Sequence, residues 1–275
     1  MGESGIISRM FRNQYYAKTD VGLQRSNNED TVFASAKTGL WIVADGMGGH
    51  AAGEVASAIV TDTVHRHVLQ GCDLVSAIQK SHDEILSASR AGVGGHGMGS
   101  TVVALLSRGL RYEVCWVGDS RAYLYNPAPA TQTGDENTWG QADAALRQLT
   151  TDHSYVQMLY QSGAISAAEM QNHPEKNIIT QCLGSVELEQ VEVDRVCGDW
   201  PPNSLILLCS DGLSDVVRAA ELTQILSADI SLKDKADWLV QAALDGGGKD
   251  NITVLLIQSP GSGLRFIETA KARLF

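Results

Sequence analysis

The sequence has no surplus of positive charge. It carries 21 Lys and Arg against 32 Asp and Glu, a formal net charge of −11, which argues against nucleic acid or an anionic membrane as the main partner. It also has no apolar run of membrane-spanning length; the longest, such as Ser204–Cys209 and Ile252–Ile257, are strand-sized. The opening "MGESGIISRMF" contains no continuous apolar stretch of signal-peptide length, and Ile6 stands where a myristoylation pattern needs Ser or Thr. Cysteine is sparse. Cys72, Cys115, Cys182, Cys197 and Cys209 are odd in number and scattered, with no C-x-x-C pair. Cys115 and Cys209 lie in strand-like apolar runs, so buried free thiols, a reducing compartment and a cytoplasmic location are expected. Neither GxxxxGK[ST] nor G-x-S-x-G occurs, which leaves nucleotide-triphosphatase and serine-hydrolase readings without support.

What is present is a framework of short strands. Apolar patterning predicts strands at Thr31–Ala36, Leu40–Ala44, Thr101–Leu106, Arg111–Val117, Arg121–Tyr125, Gln190–Val196, Leu205–Cys209 and Ile252–Gln258. Helical spacing predicts helices over Glu54–Leu69, over Asp73–Ala91 with weaker patterning, and along a stripe from Leu232 to Leu244. Short helices are expected within Ser154–Asn172, and the polar segment Asn126–Ala144 reads as a surface loop. Hairpins with helices in blocks point to antiparallel sheets covered by helices. With 275 residues and 44% hydrophobic composition, one large core suffices.

The stretch "LWIVADGMGGHAAGEVAS" carries an apolar strand into Asp45 and then through glycines into a helix. The feature recurs. Apolar strands deliver Asp119 in "VCWVGDSRAYLY" and Asp211 in "LILLCSDGL", and Asp250 precedes the last strand in "GGGKDNITVLLI". Any one of these could be a turn or a helix cap. Four converging carboxylates repel one another unless a cation sits among them. A carboxylate set without His or Cys suits Mg²⁺ or Mn²⁺ rather than zinc, and Gly46 lets a backbone carbonyl approach an ion. Upstream, Arg25 in "TDVGLQRSNNED" lies four and five residues before Glu29 and Asp30. A guanidinium beside a carboxylate-bound metal pair suits phosphate-ester hydrolysis, the alternative being a surface salt bridge to Glu29.

Those segments, with "GMGSTVVALL", appear in the order and at the spacings of the protein phosphatase 2C family, and the form DGMGGH resembles its bacterial branch. The resemblance covers roughly residues 15–258. It implies an α+β fold, a four-layer α/β/β/α sandwich of two antiparallel β-sheets flanked by helices, in a single catalytic domain with a flap at about residues 148–184. It implies a metal-dependent serine/threonine phosphatase that uses Mn²⁺ or Mg²⁺, with two tightly bound ions and a weaker third. By motif match, Asp45 would bridge two ions, the Gly46 carbonyl would bind one of them, and Asp211 and Asp250 would complete the pair. Asp119 would share the third ion with Asp211. Arg25 would hold the substrate phosphate, Asp30 would order a water with Glu29 beside it, and His50 would donate a proton to the leaving group. No covalent enzyme intermediate is expected. The implied partners are phosphoproteins and a cognate kinase, and the expected state is a monomer.

Two rivals are weaker. "IVADGMGGHA" matches the dinucleotide fingerprint strand–GxGxxA–helix, but the required acidic residue about twenty positions on falls at His65–His67, inside a helix. A catalytically inactive phosphatase-fold binding module would be expected to lose metal aspartates, and all are present.

Overall fold

The computed structural model describes residues 13–48, 52–127, 145–188 and 190–261. His50 and all but the first two residues of the Asn126–Ala144 loop lie outside that range. Among the described residues, eleven strands form two sheets, and every named pairing is antiparallel. The first sheet runs β1 (Tyr15–Asp20), β11 (Ile252–Gln258), β10 (Leu205–Cys209), β7 (Arg121–Tyr125) and β8 (Leu146–Gln148). The second runs β2 (Asp30–Ser35), β3 (Leu40–Met47), β5 (Val102–Arg108), β6 (Arg111–Val117) and β9 (Asp194–Asp199), with β4 (Gly99–Ser100) beside the end of β3.

The central strands read as unbroken apolar runs because both of their faces are buried. On β3, Trp41 and Val43 point into the core between the sheets, where they meet Val103, Leu208 and Leu255. Leu40, Ile42 and Ala44 point the other way, onto α1 (Ala52–Leu69) and α2 (Leu74–Arg90). On β10, Ile206 and Leu208 face the sandwich, while Leu205, Leu207 and Cys209 face α6 (Ala219–Ser227) and α7 (Leu232–Asp245). Helix, sheet, sheet, helix is therefore the layer order, as expected.

Some local expectations change. The segment predicted as a strand over Gln190–Val196 pairs with β6 only from Asp194 to Asp199. Helix α2 is strongly rather than weakly amphipathic, burying Leu74, Ala77, Ile78, Ser81, His82 and Ile85 on one side, and the Asp73 side chain caps its N-terminus. The 149–193 segment holds two short helices, α3 (Tyr155–Gln161) and α4 (Ala167–Gln171), as expected of Ser154–Asn172. It is tied down by the isolated bridges Ser154–Ile179 and Ser100–Leu183. All five cysteines are free, with Cys115 and Cys209 buried. Among the described residues, no helix is long and apolar enough to cross a membrane.

Candidate metal centre

The aspartates gather at one end of the sandwich because the strand ends do. Asp45 closes the apolar part of β3, and Asp30 opens β2 directly opposite it in the register. Asp211 begins the short helix α5 (Asp211–Ser214) immediately after β10, and Asp250 precedes β11, which pairs with β10. Asp119 lies in the turn from β6 to β7.

Their electrostatics show the convergence. Burial pushes the Asp45 carboxyl well above the usual range, and the charges of Asp30, Asp211, Asp119 and Asp250 push it further. Asp211 is raised in the same way, by burial and then by Asp119, Asp215, Asp250 and Asp30. Burial lifts Asp30 to about 6 in spite of the hydrogen bond from Ser210. Asp119 rises to about 7, through burial and then the neighbouring charge of Asp152.

These residues fit a divalent cation. Asp30 Oδ1 and Asp211 Oδ1 are buried oxygens with no hydrogen-bond partner, an arrangement that is costly without a positive charge nearby. The donors are all hard oxygens, as Mg²⁺ and Mn²⁺ prefer. Among the described residues, no three His, Cys, Asp or Glu side chains close around one point. Gly46 has a packing reason of its own. A Cβ there would collide with the carbonyl oxygens of Gly53 and Glu29, so the strand could not accept the start of α1.

Polar side chains around the carboxylates fix the backbone. Ser210 Oγ donates to Asp30 Oδ2 at 2.8 Å and accepts the Thr253 N–H at 3.0 Å. Asn251 staples the 21–29 loop to β11: its Nδ2 donates to the carbonyls of Val21 and Asn27, both at 2.9 Å, and its Oδ1 accepts the Glu29 N–H at 2.8 Å. Thr101 Oγ1 accepts the Asp45 N–H at 3.2 Å and shares a hydrogen bond with Ser120 Oγ at 2.7 Å. Sequence reasoning missed Ser210, Thr101 and Ser120, and read Asn251 only as the neighbour of Asp250.

Arg25 is exposed, and its Nη2 donates to Asp250 Oδ2 at 2.7 Å. The salt bridge weighed against Glu29 thus goes to a predicted metal ligand instead. Burial raises the Glu29 carboxyl above its usual range, opposed by the Gly53 backbone at the start of α1 and by the charge of Arg25. One string was overlooked in the sequence. Cys115 to Arg121 fits the C-x₅-R pattern of cysteine-dependent phosphatases. The structure removes its force: Cys115 is buried in β6 with its thiol pushed up by burial, and Arg121 grips Asp152 bidentately, Nε to Oδ1 at 2.9 Å and Nη2 to Oδ2 at 2.5 Å.

A protein phosphatase 2C family model matches residues 24–246, a span that contains Arg25, Glu29, Asp30, Asp45, Asp119 and Asp211. The chain belongs to the protein phosphatase 2C family. Its enzyme class is accordingly that of the phosphoprotein phosphatases. The serine/threonine phosphatase stp of Listeria innocua is 37% identical over 254 residues, covering 88% of this chain and 94% of that protein. The crystal structure of the serine/threonine phosphatase PstP/Ppp of Mycobacterium tuberculosis superposes with a TM-score of 0.75 at 36% identity, covering 90% of this chain and 98% of that one. A structure of the PstP catalytic domain in complex with two manganese ions gives a TM-score of 0.74 at 33% identity. Membership of the protein phosphatase 2C family supports metal dependence, and it favours catalysis over an inactive binding module.

Proposed function

We propose that the chain hydrolyses phosphoserine and phosphothreonine in proteins, with Asp45, Asp211, Asp250 and the Gly46 carbonyl holding a pair of Mn²⁺ or Mg²⁺ ions. The observation that carries this reading is the mutually charged aspartate cluster with its two orphaned buried oxygens, on Asp30 and Asp211. Asp119, together with Asp211, would take a weaker third ion. When bound, the ions supply the Lewis acidity that makes water nucleophilic near neutral pH and neutralise charge on the phosphoryl oxygens.

The protein's own groups do the rest. Arg25 is held at the mouth of the cluster by Asp250. It turns from that carboxylate to the substrate phosphate, which it orients through charge-assisted hydrogen bonds. Asp30, fixed through one oxygen by Ser210, keeps its other oxygen free to accept a hydrogen bond from the attacking water. Glu29 holds the start of α1 against the strand that carries Asp45. His50 is the proposed proton donor to the leaving seryl or threonyl oxygen; that role rests on its place in DGMGGH alone. The 148–184 segment is the proposed flap. Lys176 within it reaches back to Asp215, just past Asp211, with Nζ 2.6 Å from Oδ2.

This activity opposes a serine/threonine kinase, in the cytoplasm and as a monomer. Hydrolysis of a phosphothreonine peptide by the pure protein tests the function. Turnover with Mn²⁺ or Mg²⁺ that stops on chelation supports it; undiminished turnover in metal-free protein overturns it.

A further inference from the structure

We infer that His153 is a positioning residue for Asp119, fixing the Gly118–Asp119 turn from outside the carboxylate cluster and tying it to the segment between β8 and β9. The inference rests on the reading of Asp119 as a metal ligand.

Gly118 has a φ of 101°, and a Cβ on it would stand 2.7 Å from Thr101 Cβ and Cγ2. The turn therefore has no side chain of its own at that point to hold it in place. His153 grips it from two sides. Its backbone N–H donates to the Gly118 carbonyl at 2.9 Å. Its ring Nδ1 accepts the Gly118 N–H at 3.1 Å. Because Nδ1 accepts, the ring proton sits on Nε2, which faces Asp194 Oδ2 at 3.4 Å. The imidazole stacks on Trp116, the centroids 6.5 Å apart and the planes 29° from parallel.

The same residue reaches into the β8–β9 segment. The His153 carbonyl accepts the Thr180 N–H at 2.8 Å, and Gln181 Nε2 lies 3.0 Å from Nδ1. Gln181 is in turn locked to the Glu192 backbone, donating at 2.8 Å and accepting at 2.9 Å. A cleft of about 350 Å³ opens beside the ring, lined among others by Asp152, Gln157, Met158 and Asp194. The ring is thus a bridge between two walls rather than a filler of the core. Asp152, one residue earlier, is the strongest charged influence on Asp119. His153 touches neither substrate nor ion in this scheme; it acts through the Gly118 peptide.

Two variants separate the acceptor from the ring. His153→Phe keeps the stacking on Trp116 and removes the acceptor. His153→Asn discards the ring and places an amide oxygen where Nδ1 stands. In His153→Phe, the Gly118 amide should exchange with solvent about tenfold faster or more, since its hydrogen bond is gone. Calorimetry should show the tight Mn²⁺ sites unchanged and the weak Mn²⁺ phase shifted to higher concentration. Turnover should fall with little change in KM. His153→Asn should restore the slow exchange and the weak phase. A wild-type weak phase and wild-type Gly118 exchange in His153→Phe overturns the inference, as does a His153→Asn variant as impaired as His153→Phe. Asp119→Ala run in parallel distinguishes the two levels. If it shifts the weak phase and His153→Phe does not, only the role of His153 falls. If Asp119→Ala leaves the weak phase intact, the ligand reading of Asp119 falls and the role of His153 with it.

Discussion

Asp30 and Asp45 are register partners on neighbouring antiparallel strands, a carboxylate set directly opposite a carboxylate. Like charges so placed destabilise a strand pair, and these two persist among further aspartates. A folded state that tolerates this arrangement is built to receive positive charge.

That arrangement fixes how stability depends on pH without metal. Burial raises Asp30 to about 6 and Asp119 to about 7, whereas unfolded aspartates titrate near about 3.9. Between roughly pH 4 and pH 7 the folded state therefore binds more protons than the unfolded state, and stability declines as pH rises. Chelator-treated protein should melt progressively lower across that window. Saturating Mn²⁺ should abolish the decline and Asp30→Asn should reduce it. A melting temperature that is flat or rising with pH in chelator would contradict this account.

Asp45→Asn and Asp211→Asn should each lower turnover about a hundredfold or more, because lost ion occupancy forfeits several kcal/mol of charge stabilisation. Neither change removes apolar packing, and each relieves repulsion in the metal-free fold. The melting temperature in chelator should hold or rise. Near-normal rates for either variant at moderate Mn²⁺ would sink the ligand assignment.

Arg25→Ala should reduce catalytic efficiency by the worth of a charge-assisted phosphate contact, about 2–3 kcal/mol. Arg25 occupies Asp250 in the structure, so its removal should leave Mn²⁺ affinity unchanged or slightly tighter. Isothermal titration with Mn²⁺ beside steady-state kinetics checks both. Weakened Mn²⁺ binding with unchanged efficiency at saturating metal would reverse the assignment.

Much of this fold was written in the apolar runs. Leu40–Ala44, Leu205–Cys209 and Ile252–Gln258 could be read because two buried faces leave few polar residues in them. The edge strand Tyr15–Asp20 was not read, since it is only partly buried along its length, and β9 was misplaced because its residues alternate between half-buried and exposed. The aspartates stood out by recurring at strand ends. Their partners did not. Ser210 meets Asp30 across 180 positions, and Asn251 meets Asn27 across 224; only the folded topology brings such pairs together.

Asn251 makes a structural prediction of its own. Asn251→Ala removes two donors and one acceptor from the 21–29 loop, at roughly 1 kcal/mol for each hydrogen bond. Urea denaturation should show a loss of about 3 kcal/mol, with increased proteolysis near Arg25. A loss within experimental scatter would mean that the loop is held by other contacts.

The central claim is that the aspartate cluster binds the ions that drive hydrolysis. The direct test is anomalous diffraction at the manganese edge from crystals grown with Mn²⁺. The account predicts two strong peaks, both at coordinating distance from Asp45, with Asp211 and Asp250 completing the sites. Strong peaks only elsewhere, with none beside Asp45, in crystals of protein that hydrolyses phosphothreonine peptide with Mn²⁺ would contradict it.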